Sequence, residues 1–201
     1  MTTATAIIET FSDRAVVATA APVPVMIPFR KGDLVVYPTH GIGMVDGVGV
    51  EEIGGEKLRL IQVSFAENKM TLRIPVIKAM AVGLRRPNTR KALEEVLVIL
   101  AGRSHASKIV WVKRAQEYAL RINSGSIKAL AAVVRDLRPR PDGAGSSFSQ
   151  RNLFETAIDR LAAEFAVVFK VEKSAALLRL TQILDSGVAT TAFAAEDAVE
   201  G

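Results

Sequence analysis

The residues best suited to chemistry are the single tryptophan and the arginines that share its spacing. Trp111 and Tyr118 are seven residues apart, as are Arg114 and Arg121. In a helix each pair would form one stripe, and the two stripes would be adjacent. The indole could pack in a core against the arginine stems. It could equally enter a minor groove and unstack a base step while the arginines hold phosphates. These residues alone leave both interpretations open.

The usual enzymatic constellations are missing from the sequence. The 201 residues include no cysteine and only two histidines, His40 and His105. No His-Glu-x-x-His or Gly-x-Ser-x-Gly motif accompanies either histidine. The glycines of residues 41–49 have the wrong spacing for a dinucleotide-binding loop, and no helix pattern follows them. We therefore expect no catalytic site, no metal site and no cofactor.

Charge is concentrated in the middle of the chain. Residues 85–140 carry 13 basic and 4 acidic groups, whereas residues 29–84 carry 7 and 6, and the whole chain has a net charge of +5. A basic field of this kind attracts phosphate backbones, although a solvated helical surface has the same composition. Charges interrupt every long apolar run, so no membrane span is expected.

Residues 29–85 have the pattern of short strands joined by tight turns. Gly54 and Gly55 mark a hairpin between two apolar runs. Residues 70–74 alternate so that Arg73 faces outward, and Pro75 ends the strand. This pattern predicts a small β-barrel whose exposed strand edges suit docking by strand addition.

Residues 88–186 have helical periodicity. We expect helices over about 88–101, 109–123 and 126–137, then from a cap at Ser149 to about residue 185. In the second helix the expected buried arc is Ile109, Val112, Ala115, Ala119 and Ile122. In the third, Arg135 is expected to face solvent.

These patterns predict an α+β protein, in which a small β-barrel precedes a compact all-helical domain. The domains would span residues 29–86 and 87–186. Residues 1–28 are expected to form a flexible extension, and residues 187–201 a frayed tail.

Five segments together resemble the CarD/CdnL family of bacterial transcription regulators, in the family's order and spacing. They cover landmarks between about residues 29 and 185: Gly32–Gly41, Met70–Pro75, Trp111–Arg114, Ile122–Gly125 and Val133–Leu137. The chain resembles the CdnL branch, because the added DNA-binding tail of the larger CarD proteins is not seen.

The resemblance implies a Tudor-like N-terminal domain that docks on the RNA polymerase β subunit. Arg73 matches a polymerase-contact position, and Pro75 belongs to the same landmark. A further family contact, basic in some members, falls near Glu51, so this sequence departs from the family's pattern at one salt bridge of the docking mode.

The resemblance also implies a helical domain that lies against promoter DNA at the upstream edge of the transcription bubble. Trp111 matches the family's wedge tryptophan, and Lys113 and Arg114 match its adjacent basic pair. Val112 and Lys113 differ from the Ser and Arg often found there. Arg121 and Arg135 are further candidate DNA contacts.

The expected function is that of a non-catalytic regulator that binds polymerase and stabilises the promoter open complex. Its partners would be the β subunit and promoter DNA without sequence specificity. We expect a monomer in the cytoplasm, associated with the nucleoid through polymerase. The alternative is a free-standing basic DNA-architectural protein that acts without polymerase.

Overall fold

A computed structural model describes residues 29–67, 69–105, 109–139 and 147–189. The extension predicted for residues 1–28 and the tail from residue 190 onward lie outside the described residues. In the described part of the chain, no helix is both long and apolar enough to cross a membrane.

The N-terminal part is a curled antiparallel sheet of four strands in the order β1-β2-β3-β4. The strands are β1 (Leu34–Tyr37), β2 (Gly41–Ile53), β3 (Glu56–Phe65) and β4 (Met70–Pro75). After β4 the chain returns to the outer edge of β1, where Arg85 forms an isolated bridge with Val36. This half-barrel confirms the Tudor-like prediction, and we call it the β module.

The long hairpin between β2 and β3 turns at the predicted glycines. Gly54 and Gly55 have φ values of 63° and 83°, in the left-handed region that side chains disfavour. A two-residue turn with positive φ at both residues has a backbone twist that matches the right-handed twist of the flanking strands. The inward faces of these strands bury an apolar core that includes Val35, Val45, Ile61, Val63 and Phe65.

Gly43 in β2 lies where the sheet folds closely over its own core. A Cβ atom at this position would lie 2.6 Å from Val63 Cγ1 and 2.8 Å from Phe65 Cε1. We expect Gly43→Ala to lower the free energy of unfolding by about 1–3 kcal/mol, because buried side chains must move to make room. Gly49→Ala in the same strand would meet nothing within 4 Å. It should change the free energy of unfolding by less than about 0.5 kcal/mol. Equal urea midpoints for the two variants would contradict this account of Gly43.

The C-terminal part is a packed bundle that we call the helical module. A short helix, α1 (Val76–Ala79), follows β4 directly and packs against β3 and β4, so it belongs to the β module. The helices of the helical module are α2 (Arg90–Ala101), α3 (Trp111–Ile122), α4 (Ile127–Leu137), α5 (Phe148–Phe169) and α6 (Lys173–Ser186). Hydroxyl caps begin three of them: Thr89, Ser126 and Ser147 accept hydrogen bonds from backbone amides of the first turn. The prediction that Ser149 caps the fourth predicted helix is wrong, because Ser147 has that role in α5.

Helix α4 packs against α2, α3 and α5. Its apolar residues at helical spacing are all buried: Ile127, Leu130, Val133, Val134 and Leu137. Helix α6 closes the bundle on the other side, against α5 and α2. Helix α3 packs at the side of the bundle, against α4 and α5.

Candidate functional site

The first candidate surface is the outer edge of the sheet, formed by β4. Strand β4 pairs with β3 on one side, and no other described strand pairs with it on the other. An edge of this kind presents unpaired backbone groups to a partner strand. We call it the β4 edge.

Arg73 of β4 projects from the outer face of the sheet, as predicted, and reaches across β3 towards β2. Its side chain is 62% exposed and its Nη1 lies 3.5 Å from Glu51 Oε2 of β2, whose side chain is 41% exposed. The two residues border a shallow groove on the outer face of the sheet, with Gly47, Val48, Gly49, Leu60 and Gln62. The structure thus places together two of the residues that the sequence singled out for docking.

Pro75 is the last residue of β4 and pairs with Leu60 of β3. Its ring fixes φ at −57°, and it has no N–H to offer to a further strand. It therefore ends the β4 edge at the start of α1. The prediction that Pro75 terminates the strand is right to within one residue.

The second candidate surface is the N-terminal end of α3. Trp111 is the first residue of the helix, and its indole is partly buried against the helical core. The Arg114 guanidinium lies over the ring, 5.5 Å from its centroid. This is cation–π geometry, and it follows from the i, i+3 spacing of the two residues on one helix. We call this region the Trp111 surface.

The predicted buried face of α3 is right at Ile122, which is buried, and at Ala115 and Ala119, which are partly buried, but wrong at its N-terminal end. The expected arc included Val112, but Val112 is 63% exposed and Ile109 is also exposed. Tyr118 and Ile122 are the buried residues of the helix. The helix is rotated because the Trp111–Tyr118 stripe packs against α4 and α5. Burial raises the pKa of Tyr118, with Asp136 adding to the effect.

The predicted basic residues of α3 differ in exposure. Lys113 and Arg121 are exposed, whereas Arg114 is partly buried beside the indole. Lys113 follows Trp111 by two residues, so the two leave the helix in different directions. The Trp111 surface thus combines an indole and a guanidinium stacked on it, whereas the exposed ammonium group of Lys113 lies on another face of the same turn.

Arg135 is not available to solvent, and that prediction is wrong. Its side chain is 15% exposed, and its Nη2 lies 2.9 Å from Asp136 Oδ1, in a carboxylate that is 4% exposed. The same Asp136 oxygen accepts a hydrogen bond of 2.9 Å from the backbone N–H of His105. The Arg135–Asp136 pair thus anchors the segment that leads from α2 towards α3. The guanidinium of Arg135 is occupied by this contact.

The two modules are held together through α5. Glu164 accepts hydrogen bonds from both terminal nitrogens of Arg85, at 2.8 and 2.9 Å. Arg160 donates to the carbonyl oxygens of Pro38 and Thr39, at 2.6 and 3.0 Å. Burial lowers the pKa of Arg160, and Asp159 opposes that effect. The modules therefore form one body in which the β1–β2 turn rests on α5.

A salt bridge that involves Asp159, the neighbour of Arg160 on α5, adds to this contact. Lys173 Nζ lies 2.6 Å from Glu67 Oε1 of the β module and 2.7 Å from Asp159 Oδ1 of α5. Burial alone would lower the pKa of Lys173, but its hydrogen bonds with Asp159 and Glu67 outweigh burial and raise it.

The sequence patterns predicted no contact between the modules through Arg85, Asn88, Arg160 or Glu164. One signal was present: Glu164 is a lone carboxylate among apolar residues of α5, within Leu161–Phe165. A charged residue at a core position implies a buried partner. The identity of that partner could not be inferred, because it lies 79 residues away.

Comparison with known proteins identifies both modules. Residues 29–87 match the family model "CarD-like/TRCF RID domain", and residues 95–181 match "CarD, C-terminal domain". The Bacillus subtilis protein named "Putative transcription factor YdeB" is 26% identical over 140 residues, which are 70% of this chain and 92% of that protein. The solution structure of the N-terminal domain of Myxococcus xanthus CarD is 33% identical. The match covers 29% of this chain and 77% of that one, with a TM-score of 0.26.

The two matched models, in this order and together spanning most of the chain, define a transcription regulator built from a Tudor-like module and a helical module. The chain belongs to the CarD/CdnL family.

Proposed function

We propose that this protein docks on the RNA polymerase β subunit through the β4 edge and stabilises the promoter open complex through the Trp111 surface. In this proposal residues 29–86 bind polymerase and residues 87–186 face DNA. The protein acts as a non-catalytic monomer in the cytoplasm, associated with the nucleoid through polymerase.

The observation that carries the proposal is the composition of the Trp111 surface. A partly exposed indole carries a stacked guanidinium, and Lys113 is exposed on another face of the same helical turn. Val110 and Val112, 72% and 63% exposed, give the same end of α3 an apolar character. Apolar side chains inserted at a base step and cations on the adjacent phosphates are the means by which minor-groove proteins hold distorted DNA.

The docking half of the proposal is supported by the family model that residues 29–87 match and by the open β4 edge. A partner strand could add to this edge, and Arg73 could then pair with an acidic residue of that partner. Glu51 lies beside Arg73, so it would favour a partner that carries a basic residue next to this acidic residue.

The mechanism that follows is a wedge at the upstream fork of the bubble. Reannealing of the promoter requires the bases at the fork to stack again. An indole that occupies the fork opposes that step, and Arg114, Lys113 and Arg121 add attraction to phosphates that is independent of sequence. Docking on polymerase raises the local concentration of the wedge, so its own affinity for DNA can be weak.

Hydroxyl-radical footprinting on a promoter fragment, with and without polymerase, tests the proposal. We expect the protein to protect the upstream edge of the bubble only when polymerase is present. Equal protection of the fragment without polymerase would favour a free-standing DNA-architectural protein instead. No protection with polymerase present would show that the helical module does not contact promoter DNA.

A further inference from the structure

A buried polar cluster joins the two modules, and the proposed function does not yet use it. Glu164 of α5 is 2% exposed. Besides the two bonds from Arg85, it accepts hydrogen bonds of 2.8 Å from the backbone N–H and the side-chain amide of Asn88. The Arg85 Nε also donates to the Gly125 carbonyl at 2.9 Å. The segment between the sheet and α2 is thereby tied to α5 and to the loop that precedes α4.

Arg160 lies one helical turn before Glu164 on the same side of α5. In addition to its bonds to the β1–β2 turn, it donates to Asn123 Oδ1 at 3.0 Å. Asn123 is the C-cap of α3, the helix that begins at Trp111. A single guanidinium therefore contacts both the β module and the helix that carries the Trp111 surface. We refer to Arg85, Asn88, Arg160 and Glu164 as the clamp.

We infer that Glu164 and Arg160 are positioning residues, which hold the β4 edge and the Trp111 surface at one fixed orientation. Docking at one surface then delivers the other to the DNA fork. This inference rests on the proposed function. If the modules were joined by a hinge instead, the indole would sample a large volume around the docked β module, and its effective concentration at the fork would fall.

Stability alone is a weak reason for such a cluster. Removing a carboxylate and a guanidinium from water is costly, and well-packed apolar residues often serve a fold equally well or better. The clamp instead fixes the relative orientation of the modules. A bidentate pair, and a guanidinium with several fixed acceptors, lose their hydrogen bonds when the angle between the bonded groups changes. Orientation between modules is the property that those bonds define.

Two variants weaken the clamp. Glu164→Gln keeps the side-chain shape but places an amide N–H₂ group among donors. Arg160→Gln shortens the side chain but keeps it polar, and it removes the bonds to Pro38, Thr39 and Asn123. Arg151→Gln is the matched control, since Arg151 lies exposed on the same helix. The full chain serves for all variants, and circular dichroism checks that each is folded at the working temperature.

The first measurement is the distance between the modules. The chain contains no cysteine, so Thr71→Cys on β4 and Glu117→Cys on α3 provide unique sites for spin labels. Pulsed electron paramagnetic resonance should give one narrow distance distribution for the parent and for Arg151→Gln. Glu164→Gln and Arg160→Gln should broaden it. A distribution as narrow as that of the parent would overturn the inference.

The second measurement separates positioning from folding. With label-free protein, the affinity of each clamp variant for the β subunit should match that of the parent. The extension of open-complex lifetime at saturating protein should fall by about fivefold, as the effective concentration at the fork drops. A full lifetime extension together with a broadened distribution would refute the positioning role. Weaker β binding in step with lost lifetime would also refute it, because the clamp would then merely maintain the β module.

Failure of the proposed function has a different signature. If the parent itself fails to extend open-complex lifetime, the proposed function is wrong, whereas the distance distributions still report whether the clamp fixes the orientation.

Discussion

Arg73→Glu is expected to lower the affinity for the RNA polymerase β subunit by about 30-fold, equivalent to about 2 kcal/mol. In the structure, Arg73 Nη1 lies 3.5 Å from Glu51 Oε2. The substitution removes this cation and places a second carboxylate beside Glu51. An acidic residue of the partner would then meet two like charges. Isothermal titration with a purified β-subunit fragment measures the effect.

The loss can be attributed to docking because the substitution should hardly change the free energy of unfolding of the free protein. The Arg73–Glu51 pair is exposed, and exposed pairs contribute about 0–1 kcal/mol to stability. Arg59→Glu is the matched control: Arg59 is exposed on neighbouring β3, and by strand alternation it faces away from Gln62 and the groove. Equal affinities for the two variants would exclude Arg73 from the docking surface.

Trp111→Ala is expected to leave polymerase affinity unchanged and to shorten the lifetime of the open complex by about tenfold relative to the parent. That ratio corresponds to about 1.4 kcal/mol, less than the few kcal/mol of one unstacked base step. The physical reason is that a methyl group cannot occupy the fork, so the bases restack more readily. Competitor-challenged complexes on a promoter fragment provide the rate.

Leu120→Ala is the matched control for the tryptophan. Leu120 is 72% exposed on the same helix, and at 100° per residue it faces almost opposite to Trp111. Trp111→Phe retains an aromatic ring and should give an intermediate lifetime. If Trp111→Ala and Leu120→Ala behave alike, the indole has no special role at the fork.

The sequence predicted the features that depend on local pattern. The glycine turn between β2 and β3, the outward direction of Arg73 on β4 and the helical periodicity of α2, α3 and α4 follow from rules that act over a few residues. The adjacency of Trp111 and Arg114 also follows from helical spacing, and the structure adds the 5.5 Å cation–π contact.

Errors arose where a tertiary neighbour decides the outcome. The apolar arc of α3 was misplaced at its N-terminal end because Val112 is apolar yet exposed, while Tyr118 turns inward against the bundle. Arg135 was expected in solvent because the sequence does not show that Asp136 folds inward beside it. The clamp could not be predicted, since the bonds that join its elements link residues 37–122 positions apart.

The central claim is that one molecule joins polymerase to the upstream fork and thereby holds the bubble open. The lifetime of heparin-challenged open complexes, measured with and without the protein at concentrations that saturate polymerase, tests it most directly. The account predicts a longer lifetime with the parent protein and loss of that effect with Arg73→Glu at the same concentration. A lifetime that does not change while the parent protein is bound to polymerase would contradict it.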